Sequence, residues 1–377
     1  MTCPIQNALI IGGGFSGMSA AIELRKLGLT VDLVEIDPGW RSYGAGISLG
    51  GATLRAFRTL GILEEFLRLG SGTDGLDLYT PAGQLLATMP TPRIAGPDVP
   101  GGGAIMRPVL AKIMATATRA QGVNVRLGCT FTSLTQDADG VSVGFTDGQS
   151  RRYDLVIGAD GLYSKVREGL LPDAPKPRFT HQAVWRAVLP RPPEVQRATM
   201  WIGLPKIKVG VNPVSTDEMY IFVTEDRPTN DLIEPERFPK LFADLLAGFQ
   251  VPALQAIRSG IGAQSQIVYR PLEGLLVPRP WFRGRVVLIG DAVHATTPHL
   301  ASGACIGIED AIVLADELSR ADTLNAALAS FQSRRWERCR MVVENSARLG
   351  ELEISGGDKA EQQRILGASL AALAAPI

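Results

Sequence analysis

Residues 8–35 constrain what this chain can fold into more than any other stretch. Residues 8–11, Ala-Leu-Ile-Ile, form an apolar run long enough for one buried strand. The run stops at Gly12-Gly13-Gly14, and residues 16–27 then show helical spacing, with Met18, Ala21, Ile22 and Leu24 apolar and Glu23, Arg25 and Lys26 polar. Gly28 supplies a C-cap, and residues 30–34 read as a second strand ending at Glu35. The order is strand, Gly-x-Gly-x-x-Gly, helix, strand, acid. Gly12 permits the tight turn, Gly14 lets backbone approach a pyrophosphate, and Gly17 lets the helix pack closely on the strand. The helix start, with Phe15 and Ser16, presents N–H groups and a positive dipole end to phosphates. Glu35, 18 residues beyond Gly17, suits a carboxylate that accepts from ribose hydroxyls.

With 41 glycines among 377 residues, this glycine spacing arises by chance roughly 0.5 times. Gly70-x-Gly72-x-x-Gly75 is such a match. It follows a helical stretch and precedes a strand-like one, the wrong order, so it reads as a turn.

A chain of 377 residues suits two domains, and 45% hydrophobic with 20% charged residues is globular. Lys+Arg and Asp+Glu both number 38, so nothing favours nucleic acid or an anionic membrane as partner. Apolar runs are too short to span a bilayer, and the start lacks a basic signal-peptide region. Cys3, Cys129, Cys305 and Cys339 have no metal or redox spacing, and His181, His294 and His299 are the only histidines. The expectation is a reduced, cytoplasmic, metal-free protein.

Further along, residues 38–51 are glycine-rich and suit backbone lying against a ligand. Residues 52–69 read as helix broken at Gly61, 76–89 as a hairpin, 90–103 as a loop, and 106–120 as a helix opening at Arg107-Pro108. Residues 123–127, 131–136, 141–145 and 153–157 are expected strands. Residues 176–280 carry recurrent strand signals with one helix at 239–246, which suggests a mostly antiparallel sheet inserted in an α/β domain. A strand at 285–289 and helices at 305–318 and 324–349 follow, then an alanine-rich tail. The expected division is 1–75, 101–175 and 276–350 for a discontinuous dinucleotide-binding domain, 76–100 and 176–275 for a substrate sheet, and 351–377 for a helical tail. Glu35, Asp160 and Asp291 each sit just after a strand, where ligands of α/β sheets bind. The alternative for Asp160 and Asp291 is plain helix capping.

Three motifs together resemble the class A flavoprotein monooxygenases, the para-hydroxybenzoate and salicylate hydroxylase family. They are Gly12-x-Gly14-x-x-Gly17 with Glu35; Asp160-Gly-Leu-Tyr-Ser164-Lys-Val-Arg167; and Gly290-Asp291-Ala-Val-His294-Ala-Thr-Thr-Pro298, over roughly residues 5–345. The resemblance implies FAD at the first motif, with Glu35 on the ribose and Arg107 near the phosphates and ribityl chain. It places Arg41 and Gly46 along the cofactor, backbone near Phe131 at the adenine, Asp160 supported by Arg167 in cofactor docking, and Asp291 on the ribityl chain. Pro298, Gly303 and Ala304 would face the flavin ring. The family's usual Gly-Gln-Gly after the proline is replaced by Ala301-Ser302-Gly303-Ala304-Cys305.

The same resemblance implies a reaction in which NADH or NADPH, bound transiently, reduces FAD, and O2 then yields a flavin 4a-hydroperoxide that hydroxylates a small aromatic or heteroaromatic substrate. Cofactor chemistry of this kind leaves the protein to orient groups and exclude water. Candidate pocket residues are Ser48, Trp185, Arg186 and Phe222, with Tyr220, His294 and His299 as candidate bases. The rival readings are an FAD-dependent dehydrogenase, reductase or epoxidase, an NAD-dependent dehydrogenase, and a flavin-binding module without turnover. The assembly is expected to be a monomer or homodimer.

Overall fold

The computed structural model describes residues 5–42, 44–204 and 206–377; Cys3 lies outside the described residues. Its centre is a six-stranded sheet in the order Phe282–Arg283, Val286–Leu288, Leu155–Gly158, Asn7–Ile11, Thr30–Glu35, Asn124–Leu127. All neighbours run parallel except the first pair. Residues 8–11 are buried on both faces, as a parallel strand covered by helices requires. Asp291, Asp160, Gly12 and Glu35 therefore follow four adjacent strands and share one edge of the sheet.

Helix Phe15–Lys26 crosses helix Gly303–Arg320, and the crossing depends on missing side chains. A Cβ at Gly290 or Gly307 would collide with Ser16 Oγ. Ser16 thus faces the helix crossing, not a ligand.

The expected strand at 153–157 is two strands. Ser150–Tyr153 belongs to a three-stranded antiparallel sheet with Val141–Phe145 and Phe131–Gln136, and Leu155–Gly158 joins the central sheet. Asp154 marks the corner, its carboxylate accepting from the N–H groups of Gln6 (2.7 Å) and Asn7 (3.0 Å). Gly61 stands in the left-handed region (φ +78°) and divides helices Gly51–Leu60 and Leu63–Leu69.

The second large sheet has seven strands in the order Ile267–Gly274, Arg178–Pro190, Glu218–Asp226, Ile207–Pro213, Ala198–Trp201, Gly75–Tyr79, Leu85–Pro90. It is antiparallel except where Ala198–Trp201 runs parallel to Gly75–Tyr79. Helices Phe238–Leu245 and Pro252–Gly260 cover its outer face, where Trp185, Val209, Ile221 and Val223 form a core. The second of these helices is absent from the sequence reading because Pro252 and Gly260 bound it as they would a loop. On the inner face Arg186 lies opposite Phe222 and Val188 opposite Tyr220. This face rests on a small sheet of Gly46–Gly50, Gly102–Met106 and Ser71–Thr73. Gly46 is where they touch: a Cβ there would enter the Tyr220 ring.

The tail, helix Lys359–Ala374, packs on its own chain. Arg55 donates to the carbonyls of Ala374 (2.8 Å) and Ala375 (2.8 Å), and Arg338 to those of Ala372 (2.7 Å) and Leu373 (2.9 Å). These cations meet the negative end of the helix dipole.

Candidate active site

The glycine turn has the shape a pyrophosphate needs. Gly12 (φ +107°) abuts Ala159 and Gly17 abuts the Gly12 carbonyl so closely that no Cβ fits at either, while Gly14 faces open space. No side chain caps the helix behind Gly14, and no acid occupies its first turn. Its first N–H groups are therefore left for an anion. Glu35 accepts from Gly13 N–H through Oε2 (2.7 Å) and from Asp37 N–H through Oε1 (2.8 Å), keeping a further lone pair on each oxygen. Trp40 donates to the Gly13 carbonyl (2.8 Å) and walls the cradle. Arg107 lies over the Phe15 ring at 5.1 Å, and Arg41 is held by Asp37. Phe131 is half-buried at the start of its strand. An open backbone cradle with basic and acidic groups along one line fits the diphosphate, ribose and ribityl parts of FAD. Gly12, Gly14, Gly17, Glu35, Arg107 and Asp291 would hold it.

Asp160 behaves as the capping alternative requires. Its carboxylate accepts from Ser164 Oγ (2.5 Å) and from the N–H groups of Lys165 (2.7 Å) and Val166 (3.1 Å) at the start of helix Lys165–Leu170. Buried Arg167 donates to the carbonyls of Ala292 (2.8 Å) and Leu162 (2.9 Å), tying that turn to the Gly290-Asp291 turn.

Asp291 opens the short helix Asp291–His294 and reaches the crevice. Burial pushes its carboxyl above the usual range, against the pull of His294 and Arg107. Gly290 (φ +62°) makes the turn possible. Behind it lies a network that sequence spacing does not single out. Asp310 Oδ2 accepts from Gly290 N–H (2.9 Å) and from His294 Nε2 (2.5 Å), and Oδ1 accepts from Arg335 Nε (2.8 Å). Arg335 also meets Glu309 (3.1 Å), which Arg338 contacts at 2.7 Å. The available clue is a pair of acids, Glu309-Asp310, inside an otherwise apolar helix.

This geometry corrects the candidate bases. His294 is fully buried and bound to Asp310, whose charge raises its pKa well above the ordinary value, so it cannot reach a substrate. His299 turns towards helix Leu324–Ser355, with Nε2 3.4 Å from Glu353 and Nδ1 2.9 Å from Thr297 Oγ1; burial lowers its pKa. Tyr220 does face inward, bonded to Ser48 Oγ, but burial raises its pKa and keeps it a neutral hydroxyl. Trp185 is corrected too: it sits in the outer-face core with its indole N–H on Glu225 (2.8 Å). Cys305 is buried against Glu309, its thiol pushed up, and is no nucleophile.

Ser48, Tyr220, Phe222 and Arg186 share the inner face. Arg186 has no hydrogen-bond or ion-pair partner among the described residues, and its surroundings are Tyr220, Arg107 and Arg270. Burial and these two cations lower its pKa. Pro298 is exposed, and Gly303 and Ala304 begin helix Gly303–Arg320 with no side-chain cap.

A parallel sheet with a glycine cradle, acids after adjacent strands and a second sheet over it is the arrangement of an enzyme that binds a dinucleotide cofactor. Residues 6–346 match the family described as FAD binding domain. The chain belongs to this family, within the class A FAD-dependent aromatic monooxygenases. It is 32% identical to the aurachin C monooxygenase/isomerase of Stigmatella aurantiaca, covering 92% of this chain and 89% of that one. It is also 32% identical to the 2-heptyl-3-hydroxy-4(1H)-quinolone synthase of Pseudomonas aeruginosa, over 92% and 90%. The structure of Klebsiella pneumoniae HpxO, solved with FAD and uric acid, shares the fold with a TM-score of 0.85 at 24% identity, covering 98% of this chain and 97% of that one. The protein is thus a flavoprotein monooxygenase that uses FAD, NAD(P)H and O2. Among the described residues no helix is long and apolar enough to cross a membrane.

Proposed function

We propose that this monooxygenase hydroxylates a small aromatic or heteroaromatic ring bearing an ionisable oxygen, and that it binds the ring as its anion against Arg186. The carrying observation is the Arg186 guanidinium, half-buried on the inner face with no hydrogen-bond or ion-pair partner among the described residues, flanked by two more cations and a neutral tyrosine. Burying an unpaired charge is costly, and an anionic ligand removes that cost. The same field lowers the pKa of a bound ring hydroxyl, so the proton leaves to solvent without an internal base. Tyr220 then donates a hydrogen bond, and Phe222 and Ser48 border the ring. FAD, when bound, supplies the electron and oxygen chemistry. The heteroaromatic compounds in the names of the quinolone synthase and of the uric acid complex support this class.

The reading assigns 1–75, 101–175 and 276–350 to FAD, 76–100 and 176–275 to substrate, and 351–377 to a covering tail. It includes a cytoplasmic location, supported by three buried unpaired cysteines, and a monomer or homodimer. The test is to incubate FAD-loaded protein with NAD(P)H, 18O2 and a panel of hydroxylated pyridines, quinolones and purines. One labelled oxygen per product, with one NAD(P)H consumed, is expected for a ring that also perturbs the flavin spectrum. Oxidised product lacking label would establish a dehydrogenase instead.

A further inference from the structure

A groove of about 900 Å3 runs between helix Arg107–Ala120 and strand Ile267–Gly274. That strand is the edge of its sheet, so one row of its backbone groups has no partner strand among the described residues. Lys112 and Arg119 line one wall and Arg270 the other, with Trp40 and Tyr269 as aromatic neighbours. No carboxylate lines the groove among the described residues, although the chain as a whole is neutral. Lys112, Arg119 and Arg270 have no ion-pair partner among the described residues; Arg119 lies over the Trp40 ring at 5.2 Å. Arg41 also lines the groove but is committed to Asp37.

The groove adjoins the cradle, sharing Trp40, Ser42 and Ala111 with it. Its Arg270 is close enough to act on both Arg107 and Arg186. One end therefore lies beside the residues assigned to flavin and the other opens to solvent. The two phosphates of FAD already have the cradle, the helix start and Arg107. A second set of cations, with aromatic walls and a volume in the range of ligand sites, calls for a second nucleotide.

We propose that this groove is the transient docking site of the nicotinamide dinucleotide, with Lys112 and Arg119 receiving its phosphates. The proposal rests on the monooxygenase reading. Lys112 and Arg119 are exposed, so each attraction is modest and screened by salt. Weak holding suits a co-substrate that must leave after delivering its electrons.

The experiment uses FAD-loaded protein and the doubly substituted Lys112→Glu, Arg119→Glu form, both substitutions being exposed and compatible with a helix. NADP+ and NAD+ binding are measured by calorimetry, and the concentration dependence of anaerobic flavin reduction by NADPH and NADH by rapid mixing. The expected result is a Kd for the preferred nucleotide raised about tenfold or more, with a flatter salt dependence. FAD affinity, melting temperature and dithionite reduction should stay unchanged. An unchanged nucleotide Kd would overturn the proposal, as would FAD affinity falling in parallel, because the cations would then serve FAD. Wild-type protein that binds FAD but is reduced by neither nucleotide would instead overturn the monooxygenase reading, and the docking site with it.

Discussion

The Gly290-Asp291 turn and the inner face of the seven-stranded sheet both bury charge, and they handle it in opposite ways. Behind the turn, His294, Asp310, Arg335, Glu309 and Arg338 alternate in sign and satisfy one another at 2.5–3.1 Å. On the sheet, Arg186 faces other cations and a hydroxyl. Paired buried charge holds a backbone in place, whereas unpaired buried charge waits for a ligand. The three histidine and tyrosine candidates shrink to none as bases once this distinction is drawn, since His294 and His299 belong to paired sets and Tyr220 stays neutral.

The largest expected effect breaks the paired side. Asp310→Asn removes the charge that His294 and Arg335 share and should cost about 3–5 kcal/mol of stability, measured by denaturant unfolding. FAD affinity of the still-folded fraction should fall as well, because the Gly290 N–H and the His294 ring both locate Asp291 through that carboxylate. Unchanged affinity would reduce the network to a purely structural role. The pH dependence carries the same signature. Asp310 is held down to about 2 by His294 and Arg335, so its stabilisation is present above the ordinary aspartate range and is lost as pH falls from about 4 towards 2. His294 is raised, so its contribution is present below its ordinary pKa and is lost as pH rises through the raised value. The asparagine variant should show neither limb.

The next effect breaks the unpaired side. Arg186→Met keeps length and bulk without charge, so the fold should persist and the melting temperature should hold or rise. Substrate affinity should fall roughly 10- to 100-fold, about 1.5–3 kcal/mol for a charged hydrogen bond. The acid limb of kcat/KM should also move to higher pH, since the field that ionises the ring is weaker. Equal loss for neutral and anionic rings would count against the electrostatic role.

The glycine cradle is legible in the chain, the paired network behind Asp291 is not, and the unpaired face is legible in its residues but not in its geometry. Gly12, Gly14, Gly17 and Glu35 can be read directly because tight turns and close approach demand particular residue types at fixed spacing. The central parallel strands are readable from short apolar runs. Trp185 and Arg186 are harder. Strand alternation says they point to opposite faces, but only the helices at 238–245 and 252–260 decide which face is the core. Asp310 and Arg335 are 25 residues apart on different helices, and no local pattern joins them. His294 lies inside a family motif, which suggested chemistry where the fold provides an anchor.

The smallest expected effect sharpens the contrast from within the sheet. Tyr220→Phe removes one hydroxyl that is bonded to Ser48 and faces Arg186. A neutral donor lost from a bound anion should weaken binding by about 1 kcal/mol, roughly fivefold. The ring remains packed on Gly46, so the fold has no reason to change. The decisive readout is the shape of the pH profile. If Tyr220 is only a donor, the acid limb of kcat/KM stays where the wild type has it, and only its height drops. Arg186→Met should shift that limb, and the double variant should show the shift of one and the drop of the other. If Tyr220→Phe alone erases the limb, the tyrosine is the base after all, and ionisation by unpaired cations is the wrong account of this pocket.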